Sequence, residues 1–294
     1  MTKENETTNP DQQTSTPLDG ATDEPIQEKA ADFFSRSQRR QEQQQQQQQQ
    51  QASQAQVAAL PTPHRYTVPA IAVGLNIIWW QQPLIYHQVW QNAGNWQIWS
   101  LVAYSIFSAI ALGFLVKTRF ARADWRVWAS LAASLIVIFN SQLRSRFEVL
   151  ALLLLFICFL LILPFRAFQL KNPLGLAGLS ILLTFSVPIC INYLANNYVE
   201  PDFLKQSWLL VFATAFYFTP LFLPTAKGRK LGLITGPLFI LATLILEGFS
   251  PIAFLTIAVA LAAYCLTFVR PLTYQIQPLV VIFGLIVTVM VYYH

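Results

Sequence analysis

The feature that most limits what this chain can fold into is its succession of apolar blocks with the length of a bilayer crossing. Trp96 to Val116 (WQIWSLVAYSIFSAIALGFLV) and Val149 to Phe165 (VLALLLLFICFLLILPF) are two of them. A helix rising about 1.5 Å per residue needs roughly 20 apolar residues to cross about 30 Å of hydrocarbon. From Tyr66 onward nine segments meet this description, centred on Thr67 to Tyr86, Trp96 to Val116, Trp125 to Leu143, Val149 to Phe165, Leu174 to Leu194, Trp208 to Leu223, Leu231 to Leu246, Pro251 to Val269 and Pro278 to Tyr293. They predict an all-α fold, a polytopic transmembrane helix bundle of about nine spans. Gln81, Gln82 and Pro83 interrupt the first segment, so it is the one that could enter the bilayer and turn back. Composition agrees: 54% of residues are hydrophobic and 11% charged, whereas a soluble domain carries about a quarter of its residues as charges.

Residues 1–65 are of another kind. They contain an unbroken glutamine run, Gln43 to Gln51, many Thr, Pro and Asp, and few large apolar residues. Such a segment buries too little surface to offset the entropy of ordering it, which predicts a disordered tail ahead of a membrane domain spanning 66–294. One island departs from this: Pro25 to Glu42 places Ile26, Ala30, Phe33 and Phe34 at helical spacing before Arg36, Arg39 and Arg40. That pattern suits either an anionic membrane surface or a transient helix. Pro61 and Pro63 stop any helix before the membrane begins. The N-terminus is acidic where a cleavable signal would open with basic residues and an apolar core, so the first span is expected to act as an uncleaved anchor.

Charge sets the expected orientation. Residues up to Arg65 hold six Lys/Arg against nine Asp/Glu, a net of about −3, and the remainder holds thirteen against five, about +8. The tail is thus acidic and offers no basic face to nucleic acid. Connections after segments two, four, six and eight carry Lys117, Arg119, Arg122, Arg126, Arg166, Lys171, Lys227, Arg229, Lys230 and Arg270; those after one, three, five and seven carry only Arg144, Arg146 and Lys205. Because Lys and Arg resist translocation, this ten-to-three bias predicts a cytosolic N-terminus and an external His294. All eight tryptophans fall near predicted boundaries, where an indole keeps one edge wet. Short connections without an NxS/T site in the outer loops fit a plasma (cell) membrane of bacterial type.

Few residues carry chemistry. No Lys, Arg, Asp or Glu falls at the middle of a predicted span, which argues against a proton-relay carrier. Cys158, Cys190 and Cys265 stand far apart in apolar runs, as packing residues would; no Cys/His pairing suggests a metal site, and no cofactor fingerprint occurs. The third connection is exceptional, since Arg144 and Arg146 stand on the outer side with Glu148 beside them. Two guanidinium groups there could grip a phosphate or carboxylate bidentately, as on a lipid headgroup or lipid-linked substrate, or simply anchor helix ends. Asn192, Asn196, Asn197, Glu200, Asp202 and Lys205 join them as an outer-face polar cluster. Glu247, between an apolar run and Gly248, is the one candidate for a catalytic acid or base, although capping or pairing with an outer arginine suits it as well.

Helix contacts are expected at small-xxx-small pairs: Gly232 with Gly236, Ala129 with Ala133, Ala258 with Ala262. Segment four, nearly all Leu, Phe and Ile, is expected to face lipid. Pro188 and Pro220 fall inside spans, where kinks near Thr184 and Asn192 could line a cavity. Three function classes follow. The foremost is a membrane scaffold, sensor or accessory subunit, not an enzyme, whose partners are the lipid bilayer and proteins reached through the tail. The alternatives are a carrier or flippase for a neutral or lipid-like solute, and an outer-face enzyme using Arg144, Arg146 and Glu247.

Overall fold

By its internal contacts the computed structural model divides into two units, Met1–Gln56 and Val57–His294. It describes residues 63–85, 95–140, 143, 146–165, 168–224, 226–269 and 275–292, with a few positions between 38 and 48. The expectations for the tail, its Phe33 and Phe34 island, and nearly all of the glutamine run fall outside the described residues, as do Arg144, Arg166, Arg270 and His294.

The second unit is helical, with no strand among its described residues. Its helices are α1 (Thr67–Ile85), α2 (Asn95–Lys117), α3 (Trp125–Ile138), α4 (Phe147–Ile162), α5 (Pro173–Asn196), α6 (Pro201–Phe222), α7 (Ala226–Glu247), α8 (Pro251–Tyr264) and α9 (Gln277–Tyr292). Gln97–Lys117 in α2, Pro173–Leu194 in α5 and Gly228–Glu247 in α7 are long and apolar enough to cross a bilayer, which marks a membrane protein. Shorter apolar helices accompany them at Trp125–Ile138, Phe147–Ile162, Pro251–Thr267 and Gln277–Tyr292.

Local chemistry explains the helix ends better than hydropathy does. Asn172 caps α5 by accepting from Gly175 N–H at 2.7 Å, and Ser250 caps α8 by accepting from Ala253 N–H at 3.1 Å. Each cap is followed by a proline at the first helical position, where the missing N–H costs nothing. Helix α6 likewise has a proline, Pro201, at its first position, without a side-chain cap from Glu200, and begins well before the predicted Trp208. Helix α3 stops at Ile138, short of the predicted Leu143, because the chain turns at Asn140, whose amide donates to Ser100 Oγ at 3.2 Å. Helix α1 runs unbroken through Gln81, Gln82 and Pro83 to Ile85, although Pro83 has no N–H to offer the Trp79 carbonyl.

Each helix packs on its successor, and α9 returns to pack on α1 and α6. Connections this short fold consecutive helices back on one another, so the bundle has two distinct ends. At one end His64 N–H donates to Gln275 O at 3.1 Å, the Phe120 and Phe222 rings lie 5.0 Å apart, and Lys171 Nζ donates to Arg119 O at 3.0 Å. Among the described residues this end holds Arg65, Lys117, Arg119, Arg122, Arg126, Lys171, Lys227, Arg229 and Lys230 against Asp124, nine minus one, or +8. Among the described residues the other end holds Arg146 and Lys205 against Glu148, Glu200, Asp202 and Glu247, two minus four, or −2.

The closest approaches between helices occur at isolated glycines. A Cβ on Gly284 would lie 2.7 Å from the Tyr217 ring, one on Gly113 would lie 3.1 Å from Val68 O, and one on Gly74 would collide with Ile282. Of the predicted small pairs, Gly232 and Gly236 are buried, whereas Ala129, Ala258 and Ala262 are exposed. Helix α4 does not simply face lipid: Val149, Leu153, Phe156 and Leu160 form a fully buried stripe at helical spacing. Trp79 also departs from the boundary rule, since it is 1% exposed and packs edge-on against Phe156 at 6.2 Å.

Candidate functional site

At the acidic end, Arg146 immediately precedes α4 and its Nη2 donates to Asn197 Oδ1 at 2.7 Å. Asn197 ends α5 in the left-handed region, φ 60°, a conformation that Asn tolerates better than most side chains, and its N–H donates to Tyr193 O. One hydrogen bond thereby ties the α3–α4 connection to the α5–α6 connection. Glu148 is exposed in the first turn of α4, Asp202 and Lys205 are exposed in the first turns of α6, and Glu200 is half-buried just before it. Both carboxylates in first turns complement the positive end of a helix dipole. Asn196 is the last residue of α5, and its side chain is outside the described set.

Glu247 is half-buried at the end of α7, followed by Gly248 at φ 65°. Helix α7 packs chiefly on α6 and α8, whereas α4 packs chiefly on α3 and α5. Among the described residues no hydrogen bond or ion pair joins Arg146 to Glu247, so the fold brings Arg146 to Asn197 instead.

Asn192 belongs elsewhere. It is 2% exposed within the bundle, and its Oδ1 accepts no hydrogen bond. It lies on the kinked half of α5, where Pro188 has no N–H to offer the Thr184 carbonyl. The loosened backbone is met from α1: Trp79 Nε1 donates to Leu183 O at 2.6 Å. Several helical hydroxyls here bond back to the carbonyl four residues earlier, as Ser180 does to Leu176 O at 2.9 Å and Thr243 to Phe239 O at 2.9 Å. Thr184 Oγ1 and Ser186 Oγ are buried and make no such bond.

A second polar group lies between α1 and α2. Ser105 Oγ donates to Asn76 Oδ1 at 2.7 Å, Trp80 Nε1 donates to Ser105 Oγ at 3.2 Å, and Asn76 Nδ2 donates to Ala72 O at 2.8 Å. Nearby on α2, Tyr104 OH donates to Leu153 O of α4 at 2.9 Å. The sequence pointed to Thr184, Pro188 and Asn192 but not to Asn76, Ser105 or Trp79. Asn76 was the available signal, as a carboxamide inside an apolar run is costly unless another helix satisfies it.

These interior groups are neutral: hydroxyls, carboxamides, indoles and a phenol. They can fix helix register and bind water or a neutral polar solute by hydrogen bonding, each bond contributing about 0.5–1.5 kcal/mol net. At the basic end a small cleft lies among Pro63, Arg119, Pro220, Pro224 and Gln277, with a volume of about 10 Å³. That is roughly the room one water needs. Comparison with protein-family models, with curated proteins and with solved structures finds no match.

Proposed function

We propose that this chain is a membrane-embedded scaffold or accessory subunit. Nine spans form its body, residues 1–65 stay in the cytoplasm to engage protein partners, and the host bilayer is a plasma membrane of bacterial type. The observation that carries this reading is the charge difference between the ends of the bundle, +8 against −2, with His64 and Arg65 leaving the body at the basic end. Lys and Arg are retained on the cytosolic side during insertion, so the same asymmetry supports an orientation with the N-terminal segment inside. The interior supports a structural rather than a chemical role, since its hydrogen bonds join α1 to α2, α2 to α4 and α1 to α5.

A second reading, a carrier for a neutral or lipid-like solute, is favoured by one observation: Thr184, Ser186 and Asn192 are buried around the Pro188 kink with hydrogen-bonding capacity to spare. An enzyme acting on a lipid-linked substrate has less support, because Arg146 is engaged by Asn197 and Glu247 stands on a helix that packs elsewhere.

Deleting residues 1–60 separates the two leading readings. In a strain lacking the chain, a scaffold predicts that the truncated body inserts normally yet fails to restore the phenotype. Full restoration by the truncated body would favour the carrier.

A further inference from the structure

The geometry points to the α2–α3 elbow as a binding surface for the phosphate of an acidic phospholipid. This rests on the chain being a membrane protein and needs no particular orientation or activity.

The elbow is built, not loose. Arg119 and Phe120 both take positive φ, 52° and 54°, as the chain leaves α2. Phe120 N–H donates to Leu115 O at 2.7 Å, and Thr118 Oγ1 donates to Arg122 O at 2.9 Å. Phe120 itself is fully buried against Phe222, so the turn is plugged into the bundle. With that side chain inward, Lys117 and Arg119 stay at half-exposure and Arg122 is exposed. Arg126 follows in the first turn of α3, exposed and 5.8 Å from both the Phe114 and Trp125 ring centroids. From the α4–α5 connection Lys171 reaches the same turn through Arg119 O.

Five cations thus converge on one short turn that contains a single carboxylate, and Asp124 directs an oxygen to Trp125 N–H at 2.8 Å to cap α3. Trp125 and Trp128 beside them are exposed, as interfacial indoles are. A cluster of four or more Lys/Arg next to a span, flanked by interfacial aromatics, matches an anionic headgroup, and guanidinium groups bind phosphate oxygens bidentately. An apolar tail then lies along exposed Ile106 and Phe107 of α2 or Ile136 of α3.

The test uses the full-length chain, purified and delipidated in neutral detergent, with phosphatidylglycerol or phosphatidylcholine added back. Retained lipid is counted by native mass spectrometry, and the thermal unfolding midpoint is read alongside. Phosphatidylglycerol is expected to be retained about a hundredfold more tightly than phosphatidylcholine, and to raise the midpoint where inorganic phosphate at equal concentration does not. Lys117→Gln with Arg122→Gln and Arg126→Gln should abolish the preference, at about fivefold for each cation removed. If that variant fails to fold, Arg122→Gln alone reads the fivefold step, because its side chain is exposed. Arg229→Gln with Lys230→Gln, at the α6–α7 connection, should leave the preference intact.

Equal retention of the two lipids, an unchanged preference in the elbow variants, or equal loss in the Arg229 and Lys230 variant would overturn the proposal. So would stabilisation by inorganic phosphate that matches the lipid's. None of these outcomes bears on the scaffold reading, which is decided by the truncated chain.

Discussion

Helices α5 and α7 look alike by length and hydropathy, and each carries an internal proline, yet they do different work. The apolar window of α5 is 61% buried within the bundle, and that of α7 is 28% buried. On α5 the Pro188 kink is enclosed, met by Trp79, and surrounded by Thr184, Ser186 and Asn192. On α7 Pro237 is exposed, and Leu233, Ile234, Leu241 and Ile245 all face outward. Hydropathy records whether a residue tolerates hydrocarbon; it does not record whether the hydrocarbon is lipid or a neighbouring side chain.

The comparison breaks most visibly at Trp79. Trp79→Ala removes the bond to Leu183 O and opens a cavity beside Phe156, and should cost about 3–5 kcal/mol in a bilayer-mimetic unfolding assay. Ile245→Ala on the outer face of α7 should cost about 0.5 kcal/mol or less, as surface substitutions do. Equal losses would mean that α7 is covered by protein.

Glycines give the next largest effect. Gly284→Ala drives a methyl into the Tyr217 ring and should destabilise by about 1–3 kcal/mol, read as a lowered thermal midpoint. Gly236→Ala, whose Cβ would lie 3.4 Å from Phe216, should be nearly neutral despite its place in a GxxxG pair.

Asn192 distinguishes structure from use. Asn192→Leu relieves a buried acceptor of its unmet bond and should leave stability unchanged or raise it by about 1 kcal/mol. A marked loss of stability would show that the carboxamide is bonded within the fold. Smallest is the tie at the acidic end: Arg146→Gln loses one partly exposed hydrogen bond and should cost about 0.5–1 kcal/mol, within reach of a denaturant titration.

How much of this was legible follows from which physics each feature obeys. Each helix coincides with a hydrophobic segment, because one-dimensional hydropathy is enough to find an apolar stretch. The start of α6 was missed although Pro201 announces it, since an apolar window does not weigh a proline at the first helical position. Close approaches at Gly74 and Gly284 depend on Ile282 and Tyr217, partners far away in sequence, and no local pattern reveals them. Ala258 and Ala262 carry the motif yet are exposed. In the candidate site Arg146 and Asn197 are both legible as outer-face residues but their pairing is not, because it requires the α3–α4 and α5–α6 connections to meet at one end.

The central claim is that hydrocarbon surrounds this bundle and that its basic end faces the cytoplasm. With Cys158, Cys190 and Cys265 replaced by Ala, Arg122→Cys and Asn197→Cys place single thiols at opposite ends. In intact cells a membrane-impermeant maleimide should label the residue 197 thiol, and the residue 122 thiol only after permeabilisation. Labelling of residue 122 from outside, with residue 197 protected, would contradict the account.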